Sequence, residues 1–223
     1  MRTPLVRISV RSVRPISMLL LAGTLAACLG GGGAATTAGG CPSDAPTGTE
    51  ASAILANART ATLKTSKGTF TMELYGDKAP IATANFVALA RCGFYAGITF
   101  HRVIAGFVIQ AGDPQTKTRR DAFDKLGSGG PGYGFAIEPP ADGLNYDRYV
   151  VAMANASRPD TNGSQFFVDL ADLNDQLPRE YTIFGKVVDG TDVVDAIGAV
   201  ATNGEQGVPI EPVIIESVAI GAG

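Results

Sequence analysis

The residues best equipped for chemistry crowd into two short stretches. One is Phe100-His101-Arg102-Val103-Ile104 followed by Gly106-Phe107-Val108-Ile109-Gln110-Ala111-Gly112-Asp113. The other is Met153-Ala154-Asn155-Ala156, then Thr161-Asn162-Gly163-Ser164-Gln165-Phe166-Phe167. A guanidinium stays protonated and donates through a fixed fork, while carboxamides both donate and accept. Together with aromatic rings they form a set suited to holding and orienting a ligand.

Most familiar catalytic layouts are absent. His101 is the only histidine, and no G-x-S-x-G elbow accompanies it, since Gly163-Ser164-Gln165 does not make one. Three cysteines and one histidine exclude a zinc finger. Gly127-Ser128-Gly129-Gly130-Pro131-Gly132 has no following Lys-Ser/Thr, so it reads as a surface turn and not a phosphate loop. Asp172 and Asp175 sit in a polar loop and read as solvated. A net charge of −3 points away from nucleic acid.

These residues must be positioned by short elements. Twenty-eight glycines and thirteen prolines in 223 residues imply many turns. Runs at 61–65 and 69–75 flank Ser66-Lys67-Gly68 and read as a hairpin. Further strands are expected at 98–104, 107–112, 150–155, 165–170, 182–188 and 212–220, making eight. Pro80 to Cys92 reads as a helix stopped by Gly93, with Phe86, Leu89 and Ala90 on one face. A second helix is expected over Asp192–Ile197, with Thr191 or Asp192 as N-cap and Gly198 as the stop.

The two chemical stretches, together with Ile183-Phe184-Gly185-Lys186-Val187-Val188, resemble the signature segments of the cyclophilin family of peptidyl-prolyl cis–trans isomerases over roughly residues 60–220. The resemblance implies a mainly β fold: a closed eight-stranded antiparallel barrel capped by two α-helices, with the active groove on its outer wall. It implies Arg102 as the catalytic arginine, assisted by Gln110. Phe107, Val108 and Phe167 would form a proline pocket edged by Leu177, and Ala154, Asn155 and Gln165 would join Gln110 in holding the peptide. Tyr181 stands where many members carry a histidine. Read without the resemblance, Phe107 and Phe167 are ordinary core residues, and Arg102 is a surface arginine as readily as a catalytic one. His101 alternates away from Arg102 and reads as structural.

Those residue types suit the reaction. An X–Pro amide turns slowly because resonance gives it partial double-bond character, with a barrier of ~18–20 kcal/mol. The twisted amide nitrogen regains a lone pair that a guanidinium can serve, so no bond is made or broken and no metal or cofactor is expected. Bringing a tens-of-seconds event into milliseconds takes roughly 5.5 kcal/mol. Preorganised hydrogen bonds supply on the order of 3 kcal/mol each. The alternative function is a non-catalytic module that binds proline peptides through the same groove.

The chain departs from the family pattern in places. It has no tryptophan, and Gln176 stands where several members carry one, which predicts weak cyclosporin binding. Ala156-Ser157-Arg158-Pro159-Asp160 is one residue longer than the common form, an insertion expected to shift Asn162 and its neighbours. Val108 replaces a frequent methionine.

Residues 1–27 carry Arg2, Arg7, Arg11 and Arg14 without an acid, then the apolar run Ile16–Ala22, and read as a signal peptide. Leu25-Ala26-Ala27-Cys28 resembles the lipobox of bacterial lipoproteins, with Cys28 as the lipidated residue. Residues 28–59, rich in Gly, Ala, Thr and Pro, read as a flexible tether before a domain at 60–223, with residues 50–58 open either to a short helical turn or to more of the tether. The expected setting is therefore the cell envelope, lipid-anchored outside the cytoplasm. The expected partners are the membrane and proline-containing unfolded chains, met by a monomer. Cys41 and Cys92 remain. A disulfide between them and a free buried thiol at Cys92 are both open readings.

Overall fold

The computed structural model describes residues 40–118 and 126–222. The segment read as a signal peptide, Cys28 and the tether up to residue 39 lie outside the described residues. In chain order the elements are α1 (Gly48–Leu55), β1 (Thr60–Thr65), β2 (Gly68–Leu74), α2 (Pro80–Arg91), β3 (Arg102–Ile104), β4 (Val108–Ala111), a 3-10 turn (Pro114–Lys117), β5 (Val150–Met153), β6 (Phe166–Asp169), β7 (Ile183–Asp189), α3 (Thr191–Gly198), β8 (Thr202–Asn203), β9 (Val208–Pro209) and β10 (Ile215–Gly221).

Alternation builds the sheet. Ala61 and Leu63 of β1, Phe70, Met72 and Leu74 of β2, and Ile109 and Ala111 of β4 all turn inward at every second position. The strands pair antiparallel in the order β10-β1-β2-β7-β5-β6-β4-β3, and β8 and β9 form a separate ribbon. The ring of Phe86 on α2 packs against Tyr95, Phe166 and Phe184 at centroid distances of 5.0, 5.6 and 5.3 Å, closing the inner face of the sheet.

Two expectations about this architecture are corrected. The sheet is an open half-barrel, not a closed barrel. Among the described residues no ladder joins its edge strands β3 and β10; the segments ahead of them meet at the isolated bridge Thr99–Ile214 and through backbone bonds such as Phe100 N–H to Val213 O (2.9 Å). β3 holds three residues, and Pro209 and Pro212 ahead of β10 have no N–H to extend a ladder. There are also three α-helices among the described residues where two were expected.

The additional helix is α1, which occupies a stretch read from composition as tether or as a short helical turn. Glu50 accepts a 2.8 Å bond from the Thr47 amide, and Ala51 and Leu55 are buried. Arg91 donates to the Ile54 carbonyl and Arg59 to that of Leu55, both at 2.9 Å, satisfying the end of the helix. Two apolar anchors among alanines are too few to show as periodicity. They suffice here because α2 supplies the surface.

Helix α2 begins at Pro80 and ends before Gly93, as its sequence predicts. Its first free amides, Ile81 and Ala82, donate to the Glu138 carboxylate at 3.0 and 2.7 Å. In α3 the N-cap is Gly190 and not Thr191 or Asp192, and Gly198 is the last helical residue. Gly190 has φ +72, and a β-carbon there would collide with the Thr69 carbonyl oxygen.

Cys41 and Cys92 form a disulfide that ties the segment ahead of α1 to the end of α2 across a separation of 51 residues. The free-thiol reading of Cys92 is thereby set aside. A loop of that length corresponds to about 4 kcal/mol of chain-entropy stabilisation. Reduction is expected to lower the denaturant midpoint accordingly, and Cys92→Ser is expected to match the reduced protein. Coincident unfolding curves with and without reductant would contradict this.

Candidate active site

The outer face of the sheet carries a second apolar cluster, separate from the core. Arg102, Gln110, Phe167 and Ala152 lie directly opposite one another across β3, β4, β6 and β5, and the row ends at Ile183 of β7. Pairing in register forces these side chains onto one face, because side chains on a strand alternate with a period of two. The neighbours Val103, Ile109, Phe166 and Val168 turn inward to the core.

Phe167 and Val108 form the floor at 5% and 2% exposure, with Ala152, Tyr146, Leu173 and Ile183 beneath and beside them. Phe107, Ala154, Leu177 and Tyr181 pack on as partly buried walls. The Tyr181 ring meets Phe167 edge-on at 5.4 Å. Its strand-end position is set by Tyr146, whose hydroxyl donates to the Tyr181 carbonyl at 2.9 Å and accepts from its amide at 3.1 Å.

Arg102 stands at one end of this notch, half-buried, with its guanidinium carbon 5.5 Å from the centre of the Phe107 ring. Among the described residues it has no carboxylate partner. Desolvation lowers its pKa, opposed by the nearby Tyr181. A guanidinium begins so far above neutrality that it keeps its charge at pH 7. The site therefore presents a cation already stripped of part of its water beside an apolar hollow.

A cavity of about 610 Å³ adjoins the notch at Gln110, walled by Ala154, Asn155, Gln165, Tyr133 and the stretch from Gly127 to Pro131. Gln110 Nε2 donates to Gln165 Oε1 at 3.0 Å. Gln165 Nε2 donates to the carbonyls of Gly127 and Gly129 at 2.8 and 2.7 Å. The Gln165 side chain is thus committed to internal bonds. Asn155 likewise braces its loop, donating to Glu180 O and accepting from Ser157 N, each at 2.9 Å. In the loop 156–160, Ser157 (φ 54) and Asp160 (φ 59) are left-handed, and Asn162 is buried with its amide 3.1 Å from Thr182 Oγ1.

His101 is buried, and both ring nitrogens lack a hydrogen-bond partner among the described residues. Burial pushes its pKa down to about 4, with Asp113 opposing and Arg102 adding to the shift, so it is neutral at pH 7. Asp169 lies on the outer face of the sheet, opposite Val108 and beyond Phe167, fully buried with neither carboxylate oxygen paired among the described residues. Desolvation, helped by Asp147, raises it to about 8.

Arg102, Phe107, Val108, Gln110, Ala154, Asn155, Gln165, Phe167, Leu177 and Tyr181 fall on this face or its rim, while Cys41 and Cys92 meet at the disulfide elsewhere. Several contributors were not named: Tyr146, Ala152, Leu173, Ile183, Asp113 and the glycine stretch at 127–130. Strand parity from Phe167 and Val108 could have found Ala152 and Ile183. The glycine stretch, read as a surface turn, is a wall of the cavity.

Comparison with known proteins places the chain in a family. Residues 60–220 match the family model described as cyclophilin type peptidyl-prolyl cis-trans isomerase. The chain is 45% identical over 179 residues to peptidyl-prolyl cis-trans isomerase A of Mycobacterium tuberculosis, covering 72% of this chain and 91% of that protein. It is 42% identical over 165 residues to the peptidyl-prolyl cis-trans isomerase of Helicobacter pylori, covering 73% and 90%. A crystal structure of a Cryptosporidium parvum cyclophilin type peptidyl-prolyl cis-trans isomerase superimposes with a TM-score of 0.65 at 35% identity, covering 74% of this chain and 99% of that one. The chain belongs to the cyclophilin-type peptidyl-prolyl cis–trans isomerases and is an enzyme of that class.

Proposed function

We propose that the groove turns X–Pro bonds in exported polypeptides by non-covalent catalysis. The observation that carries this reading is the single row Arg102–Gln110–Phe167, which sets a fork of donors beside a buried aromatic floor. Phe107, Val108 and Phe167 grip the pyrrolidine ring. Arg102 donates to the imide nitrogen as it becomes pyramidal, and Gln110 with the main chain at Ala154 and Asn155 holds the flanking peptide. Gln165 acts through Gln110, because its own amide is engaged. The groove is built from one chain, which suits a monomer. Isomerisation of an X–Pro peptide by Arg102→Ala against the unmutated chain tests the reading.

The export and anchoring part of the proposal is supported by the basic-apolar layout of residues 1–27, by Cys28 after Leu25-Ala26-Ala27, and by the Cys41–Cys92 disulfide, which suits an oxidising compartment. Cys28→Ala is expected to move the protein from the membrane pellet to the soluble fraction of the cell envelope. Unchanged partition would count against lipidation.

A further inference from the structure

We propose that Asp113 is a positioning residue for isomerisation: it holds Gln110 in place beside Arg102 through the glycine loop 127–129 and Gln165. The inference rests on the functional reading above and names a group that reading does not use.

Asp113 is fully buried. Its Oδ2 accepts the Gly127 amide at 2.7 Å and the Gly129 amide at 3.2 Å, and its Oδ1 accepts the Gln115 amide at 2.8 Å. An ionised carboxylate makes such bonds stronger than a neutral acceptor would. The carbonyls of the same two glycines take both N–H groups of Gln165. That settles which way the Gln165 amide faces, since the reverse orientation would set its oxygen against two carbonyl oxygens. Oε1 is left facing Gln110, where it accepts from Nε2. One N–H and the oxygen of Gln110 then remain for the groove.

Gln115, whose backbone N–H is held by Asp113 Oδ1, also donates from Nε2 to Ser128 Oγ at 3.1 Å, so this contact too is organised around the carboxylate. Gly127 sits at φ +87, and a β-carbon at Gly129 would run into Asp113 Oδ1, so the close approach requires glycine. Without the carboxylate, the loop carbonyls lose their fixed positions and the orientation of both carboxamides is released. Misplacement of this size costs turnover far more than binding, because the apolar floor is untouched.

The test is Asp113→Asn in the full chain. Asparagine keeps the shape, but its NH2 group must face either the Gln115 backbone N–H or the N–H groups of both Gly127 and Gly129. The expected result is a kcat lower by on the order of tenfold or more, with KM for an X–Pro peptide within about twofold. Combined with Gln165→Glu, which cannot donate to the two carbonyls, the loss is expected to be no greater than in either single variant. Losses that multiply, or an unchanged kcat in Asp113→Asn, would overturn the proposal. Should Asp113→Asn fail to melt cooperatively, Gln165→Glu carries the test alone, and an unchanged kcat there overturns it. The side-chain amide resonances of Gln110 report the relay without reference to turnover. They move in Asp113→Asn if it holds, and their staying put overturns it. Failure of the functional reading would show differently, as an unmutated chain that does not turn X–Pro bonds.

Discussion

Replacing Asp169 with Asn is expected to stabilise the protein by an amount that grows with pH, by about 1.4 kcal/mol per unit between pH 4 and pH 8. In the folded state Asp169 holds its proton up to about pH 8, because burial strips its carboxyl of water, no hydrogen-bond partner meets it among the described residues, and Asp147 is near. The unfolded chain releases that proton near pH 4. Between those values the folded state binds more protons, so stability falls as pH rises. His101 acts in the opposite sense. Its pKa is depressed to about 4, so the unfolded state binds more protons up to about 6.5 and stability rises with pH over that range. The two contributions oppose one another below about pH 6.5, and the Asp169 loss stands alone above it. In Asp169→Asn only the His101 rise remains. Urea midpoints of both proteins at pH 4, 6 and 8 measure the widening gap. A constant gap would mean that Asp169 ionises in the fold as it does in water.

Arg102→Ala is expected to lower kcat/KM for an X–Pro peptide by about 10²- to 10³-fold, the cost of removing one preorganised donor from a partly dry site. KM should change little, since Phe107, Val108 and Phe167 still form the hollow. The melting temperature should stay within a few degrees, because a partly exposed residue with no ion pair among the described residues contributes little to stability. Arg102→Lys keeps the charge but not the planar fork, and is expected to recover only a small part of the loss. Activity within twofold of the unmutated protein in either variant would remove the arginine from the mechanism.

Much of this arrangement was legible in the sequence because strand pairing has a period of two. Arg102, Val108, Gln110 and Phe167 were named by motif, and the register then places them on one face. The openness of the sheet was not legible. It depends on whether two short edges meet, and Pro209 and Pro212 act on that only through a contact far along the chain. Helix α1 was legible only as one of two readings of residues 50–58, since Ala51 and Leu55 matter only once α2 and the disulfide supply a surface. The role of Asp113 joins residues 113, 127, 165 and 110 through loop amides, which leave no trace in side-chain pattern. Asp169 could be seen as an acid in a strand, but the absence of a partner among the described residues is a property of the packed structure alone.

The central claim is that a fork of donors beside an apolar hollow accelerates rotation of the X–Pro bond without covalent change. It is tested most directly by exchange NMR on an X–Pro peptide with a catalytic amount of the full chain. The account predicts cis–trans exchange on the millisecond scale in place of tens of seconds, with the unchanged peptide as the only species. A peptide that binds in the groove, shifting Phe107 and Gln110, yet exchanges no faster than it does alone would contradict it.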